Sequence, residues 1–203
     1  MRIDSHQHFW YYDPVREGWI SDQMKKIRKD FLPNDLEPVL KQHHIDACVL
    51  VQANVLTKLN LTYDLLVLGH QLKATAELVR RNPDQAFVLD HMAKPSISKG
   101  VSSTWEEGIR TLARHRNVQC KVSGFLVETE GLQWEPDDFL PFLEVVWDAF
   151  GEDRLMYGSD WPVCLGAGSY RDTLQIVEAF FKKKGSAVLE KVMGKNAQDF
   201  YRI

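Results

Sequence analysis

Cysteine is scarce in this chain: three in 203 residues, at Cys48, Cys120 and Cys164, with no Cys-x-x-Cys pair. That number and spacing exclude a disulfide framework and a thiolate zinc site. A basic excess is lacking too. With 25 Lys and Arg against 28 Asp and Glu, a net charge of −3, nothing draws the chain to nucleic acid or an anionic membrane. No apolar run is long enough to span a bilayer. The opening Met1-Arg2-Ile3-Asp4-Ser5-His6 is too polar for a secretory leader, so the expectation is a cytoplasmic protein without nucleic-acid or membrane partners. Internal repeats, low-complexity tracts and interdomain linkers are missing as well. What remains, 44% hydrophobic and 26% charged, is an ordinary globular composition, and residues 1–203 read as one domain.

Short apolar runs alternate with amphipathic stretches along the whole chain, the pattern of β/α units on a parallel sheet. Strands are expected at 2–6, 46–52, 61–68, 86–90, 118–123 and 154–159. Several are almost continuously apolar, such as Phe87-Val88-Leu89, as strands covered on both faces are. Helices are expected after Asn34 or Asp35, around Leu72, Ala76 and Val79, and from about Thr104. A fourth carries Phe139, Phe142, Leu143 and Val146 behind a cap at Asp137 or Asp138. A fifth carries Leu174, Val177 and Phe181 and ends at Lys182-Lys183-Lys184 and Gly185, where the cations suit the helix dipole. A last helical segment starts at Ser186 and should break at Gly194. Six strands fall short of the eight of a closed (β/α)₈ barrel, which typically takes about 250 residues. The shortfall localises to 53–60, too short for the crossover of a dozen or more residues that parallel neighbours need. About two β/α units are missing near 52–61.

Chemistry-bearing residues sit at strand ends. His6 and His8 are two apart, so both imidazoles leave the first strand on one side and can converge on one ion. Zinc, of borderline softness, suits such nitrogens together with a carboxylate. His91 follows the strand at 86–90, where parallel β/α folds place catalytic groups. Asp160 is presented at the mouth of the last strand by Pro162, and a carboxylate there can deprotonate a water or hold a metal. Singly, each of these has a bland reading as a strand-end cap or a satisfied polar residue. The aromatic run Phe9-Trp10-Tyr11-Tyr12 and Trp161 offer ring faces for stacking on a substrate ring or for packing the rim. Lys94 is open to a substrate carboxylate or to solvent. Lys121 and Ser123 lie on one strand face, with Lys121 also readable as a buried ion-pair partner.

The strings Ile3-Asp4-Ser5-His6-Gln7-His8-Phe9-Trp10, Asp90-His91-Met92-Ala93-Lys94-Pro95, Cys120-Lys121-Val122-Ser123-Gly124 and Tyr157-Gly158-Ser159-Asp160-Trp161-Pro162 resemble, in this order, the amidohydrolase superfamily. Within it they look like the branch of L-fuconolactonase, L-rhamnonolactonase and 2-pyrone-4,6-dicarboxylate lactonase. The resemblance spans nearly the whole chain. It implies an α/β fold of the (β/α)₈ TIM-barrel type, here shortened to six strands, and a hydrolase that opens a small sugar-acid or related lactone by activated-water attack. His6 and His8 match the first-strand pair, His91 the sixth-strand histidine and Asp160 the eighth-strand aspartate. Tyr63-Asp64-Leu65 resembles the fifth strand, which implies either that Asp64 faces the site or that it is buried with a backbone partner. The fourth-strand active-site residue has no counterpart.

The implied roles are Asp160 and His91 in catalysis, His6, His8 and Asp160 as metal ligands, and Trp10, Asp64, Lys94 and Trp161 as substrate contacts. Members of the family work with one divalent metal or with none, so both a zinc site and a metal-free site stay open. The partner is a small-molecule lactone, and the strand edges exposed by the shortening make a homodimer an open alternative. The rival functions are a superfamily decarboxylase and a shortened, catalytically impaired isoform or paralogue.

Overall fold

A computed structural model describes residues 1–15, 17–50 and 62–203; the stretch at 53–60, where the shortening is expected, lies outside them. Six strands form among the described residues: β1 (Ile3–Gln7), β2 (Ala47–Leu50), β3 (Tyr63–Leu65), β4 (Phe87–Leu89), β5 (Val118–Val122) and β6 (Leu155–Tyr157). Five of them fall inside runs read from the sequence, and β1 extends one residue past the expected 2–6, to Gln7. All pair in parallel, in the orders β1-β2 and β3-β4-β5-β6. A parallel bridge between Gln7 and Trp161 joins the two groups just beyond β6. There Asp160 N donates to His6 O at 2.8 Å and His8 N to Trp161 O at 2.7 Å. The strand order therefore runs β2-β1-β6-β5-β4-β3.

The helices between them are α1 (Pro33–Gln42), α2 (Leu72–Arg81), α3 (Ser103–Ala113), α4 (Leu140–Phe150), α5 (Tyr170–Lys184), α6 (Ser186–Glu190) and α7 (Asn196–Tyr201). Their ends follow local chemistry. Ser102 Oγ accepts from Trp105 N to start α3, and Ser169 with Asp172 closes a reciprocal cap on α5. Asp138 accepts from Glu135 N, but a 3-10 turn at Pro136–Phe139 intervenes before α4. The expected break at Gly194 is not found. The chain passes from α6 to α7 through a π-helical turn, Lys191–Lys195, and stays helical. A Cβ at Gly194 would lie 2.0 Å from the Met1 carbonyl oxygen, so this glycine serves close packing against the Met1-Arg2 backbone that leads into β1, not helix termination. No described helix is long and apolar enough to cross a membrane.

Strand alternation sorts the side chains into two faces. Leu65, Phe87, Leu89, Val118, Cys120, Val122, Leu155 and Tyr157 enter the main core, with Leu72, Val79, Ile109, Leu112, Leu143, Val146, Val177 and Phe181 from the helices. The opposite, inner face carries a small apolar cluster of Ile3, Val88 and Met156, against which Ala197 of α7 packs. Ala47 and Val49 of β2 also pack against that cluster, and beside it the buried Lys121 pairs with Asp64 and Asp90.

Candidate active site

Asp4, on β1, fastens the two strand ends that matter most. Its Oδ1 accepts from His6 N at 3.1 Å and Ser159 N at 2.8 Å, while Oδ2 accepts from Tyr170 Oη at 3.0 Å and from Ser159 Oγ. One fully buried carboxylate thus ties the end of β1 to the segment carrying Asp160, and both to α5. Burial pushes its pKa up, against the pull of these hydrogen bonds.

His6, His8 and Asp160 converge. His6 Nε2 and His8 Nε2 are 3.0 Å apart, and Asp160 Oδ1 lies 3.6 Å from the first and 3.3 Å from the second. Zinc–ligand bonds of roughly 2.0–2.1 Å place tetrahedral ligands about 3.3 Å apart, so these three donor atoms are spaced as three corners around one such ion. The donor set suits zinc in kind as well, two imidazoles and a carboxylate. Asp160 Oδ1 is buried and accepts no well-directed hydrogen bond from the described residues, as an atom facing a cation would be. The residues present fit a divalent metal.

His91 joins this group from β4. Its Nε2 lies 3.9 Å from Asp160 Oδ1, its ring centre 4.3 Å from that of His6, and its Nδ1 meets Ser123 Oγ at 2.9 Å. It is reached by an unusual backbone. His91, Met92, Ala93 and Lys94 all have positive φ, from 51° to 58°, a left-handed turn that costs L-residues about 1–2 kcal/mol each. Lys94 N→His91 O at 2.8 Å and Trp105 Nε1→Met92 O at 2.7 Å hold it. Gly124 opposite has φ 64°, and a Cβ there would stand 2.4 Å from His91 Nδ1. Glycine is therefore required both by the turn and by the imidazole.

Burial drives His6 down to about 3, with the His91 ring and the Lys121 ammonium adding to it against Asp90. His91 is lowered by burial as well, against Asp160 and Asp90. Both imidazoles are neutral near pH 7, the form that ligates metal. Burial alone would raise Asp160, but His91, His8 and His6 outweigh it and hold the carboxyl at about 2, so it is ionised.

The other candidates divide. Asp64 Oδ2 meets Lys121 Nζ at 2.5 Å, and Lys94 Nζ stands 3.5 Å from Glu128 Oε1. Trp10 packs on Phe31 and Trp19 and donates from Nε1 to Lys29 O at 2.9 Å. Trp161 is buried against Phe9 and Phe31, after which comes a cis peptide to Pro162. Lys121 is fully buried and ion-paired, its Nζ also 3.0 Å from Asp90 Oδ1. Sequence reasoning passed over Asp4, Asp90 and Glu128. A signal existed for the first two: carboxylates within or at the end of apolar strands are buried and need partners. Glu128, in a 3-10 turn at Val127–Thr129 and with its carboxyl pKa raised by burial, gave none.

Comparisons with known proteins give this chain a family and relatives. The sequence pattern of the family described as Amidohydrolase matches residues 53–203. The chain is 28% identical to the L-fucono-1,5-lactonase of Burkholderia ambifaria over 283 aligned positions, covering 100% of this chain and 96% of that protein. It is 27% identical to the L-fucono-1,5-lactonase of Burkholderia multivorans, over 92% of this chain and 90% of the relative. A crystal structure of an amidohydrolase from Burkholderia multivorans with bound zinc superposes with a TM-score of 0.91 at 25% identity, covering 100% of this chain and 99% of the other.

Proposed function

Because this chain belongs to the amidohydrolase family, we propose that its strand-end cluster hydrolyses a small sugar-acid lactone. The observation that carries this reading is the convergence of His6 Nε2, His8 Nε2 and Asp160 Oδ1 within 3.0–3.6 Å, in a chain whose relatives include enzymes named L-fucono-1,5-lactonase. That naming also favours lactone opening over decarboxylation.

His6, His8 and Asp160 would hold one divalent ion, zinc being the best fit to the donors. Bound there, it supplies Lewis-acid polarisation of a carbonyl and lowers the pKa of a water. Asp160, ionised and beside that position, takes the proton from the attacking water. His91 receives Ser123 Oγ–H at Nδ1, which leaves Nε2–H to donate to the oxygen that gains charge as the carbonyl carbon becomes tetrahedral. The bond from that carbon to the ring oxygen then breaks, and the proton held by Asp160 passes to the ring oxygen, giving the open hydroxy acid. Lys94 and the second oxygen of Asp64 are the polar groups offered to substrate hydroxyls or a carboxylate, with Trp10 in the aromatic wall and Trp161 buried behind it.

We read residues 1–203 as one TIM-barrel-type domain lacking about two β/α units near 52–61. The strand order β2-β1-β6-β5-β4-β3 supports this, because it leaves β2 and β3 as the two ends of a parallel run. So does the alignment, in which 203 residues are spread over 283 positions. The same observation favours the second reading, a shortened and impaired paralogue. One experiment separates them: proton release from L-fucono-1,5-lactone by the purified chain, with its solution mass. Turnover that a chelator removes and zinc restores supports the enzyme. A soluble protein that releases no protons with zinc present would overturn it, and a doubled mass would place a second copy at the open strand edges.

A further inference from the structure

Glu128 has no part in the proposed reaction, yet it is held at the edge of the same site. It sits in the 3-10 turn Val127–Thr129 that follows β5. The turn is fastened on both sides. Before it, Phe125 and Leu126 are buried in the core. After it, Glu130 takes a left-handed backbone, and its Oε1 accepts from Ser96 Oγ at 2.8 Å and from Lys99 Nζ at 3.2 Å. Those two partners lie on the loop that leaves the His91–Lys94 turn. The two segments are thus joined with Glu128 Oε1 at 3.5 Å from Lys94 Nζ, the side chains 21% and 32% exposed. Lys94 N in turn donates to His91 O at 2.8 Å, which keeps the lysine beside the imidazole.

The pair and the reacting groups feel each other's charge. Burial lowers His91 and the Lys94 ammonium adds to it; burial raises Glu128, Lys94 opposes that and the Asp160 carboxylate adds to it. The other lysine whose charge reaches these histidines, Lys121, is fully buried, with Asp64 and Asp90 oxygens at 2.5 Å and 3.0 Å from its Nζ. Both cations therefore already face carboxylates. A substrate carboxylate brought to Lys94 would meet Glu128 as well, and like charges side by side oppose binding. A hydroxyl meets no such conflict. It can donate to a Glu128 oxygen and accept from the Lys94 ammonium, whose three donors are not exhausted by one carboxylate. A side chain that repels the wrong ligand specifies as much as one that holds the right ligand.

We propose that Glu128 sets the charge class of the substrate: paired with Lys94 at the edge of the site, it turns away lactones that carry a carboxylate and receives the hydroxyl groups of an uncharged one. Glu128 is then a specificity-determining residue, and Lys94 reads a hydroxyl rather than an anion. The inference rests on the lactone reading above for the identity of the ligand; selection by charge is a property of the pair.

The test uses the full chain without metal and two unreactive ring amides, D-glucono-1,5-lactam and D-glucaro-1,5-lactam, which differ only in a hydroxymethyl group replaced by a carboxylate. Their Kd values are read by nuclear magnetic resonance titration. Wild type should bind the neutral lactam more tightly. Glu128→Gln keeps the shape, removes the charge and releases Lys94, so the carboxylate should gain about 10-fold in affinity relative to the neutral ring. Adding Lys94→Met to that variant should cancel the gain, which a merely structural role for Glu128 would not do. Lys94→Met alone leaves Glu128 unopposed and should weaken the carboxylate several-fold further; it serves if Glu128→Gln does not fold. A wild type that prefers the carboxylate, variants with the wild-type ratio, a gain that survives Lys94→Met, or no binding of either ring would overturn the proposal. If the ratios shift as stated while no protein releases protons from L-fucono-1,5-lactone, the lactonase reading fails and the selection by charge stands. Turnover of that lactone with unshifted ratios keeps the lactonase reading and removes Glu128 from it.

Discussion

On the outer face of the strands the buried side chains are mostly apolar, and the helices close over them in one continuous core. On the inner face, a small apolar cluster shares its space with Lys121, Asp90 and Asp64, and above them with the three histidines and Asp160. The strands are the same and the neighbours alternate residue by residue. The difference teaches that the outer face holds the fold together, while the inner face holds charges at fixed separations, at a cost in desolvation that the outer face must offset.

Substitutions on each face should separate these two tasks. The largest effect belongs inside: Asp160→Asn should lower kcat/KM for lactone hydrolysis at least 10³-fold, within the range removed with a proton-transfer group, and leave the thermal midpoint nearly unchanged. An unaltered kcat would remove Asp160 from the mechanism. Outside, Leu155→Ala empties a fully buried site and should cost about 3 kcal/mol in urea unfolding, while the folded fraction keeps its turnover. Between them stands Gly124→Ala. Its methyl would press on His91 Nδ1, and displacing the ring by about 1 Å should cost about 10²-fold in kcat/KM; a wild-type value would show that His91 need not sit where it does. The smallest change is on neither face. Lys195→Ala breaks an exposed pair with Asp199, both side chains over 60% exposed, and should move stability by less than about 0.5 kcal/mol.

The same division governs what could be read from sequence. All six strands were legible because strands covered on both faces are short apolar runs with turn residues at their ends. His6, His8, His91 and Asp160 were legible because each ends such a run. What stayed hidden depended on partners far along the chain. Gly194 read as a helix break, but its purpose is the Met1 carbonyl lying against it. Asp90 read as the last residue of a strand; its importance comes from Lys121 and His6, 31 and 84 positions away by their numbers. Trp161, read as part of a substrate wall, is 3% exposed between Phe9 and Phe31, and only the fold shows how little of its surface reaches solvent.

The left-handed turn from His91 to Lys94 acts as a filter on which amino acids can follow that histidine. Its φ values of 51° to 58° admit glycine, asparagine and aspartate readily and penalise β-branched residues most. A library randomised at Met92 and Ala93 and selected for folding should thus be depleted of valine, isoleucine and threonine, however well their volumes match. Variation in the neighbourhood of His91 is constrained by chain handedness before it is constrained by chemistry.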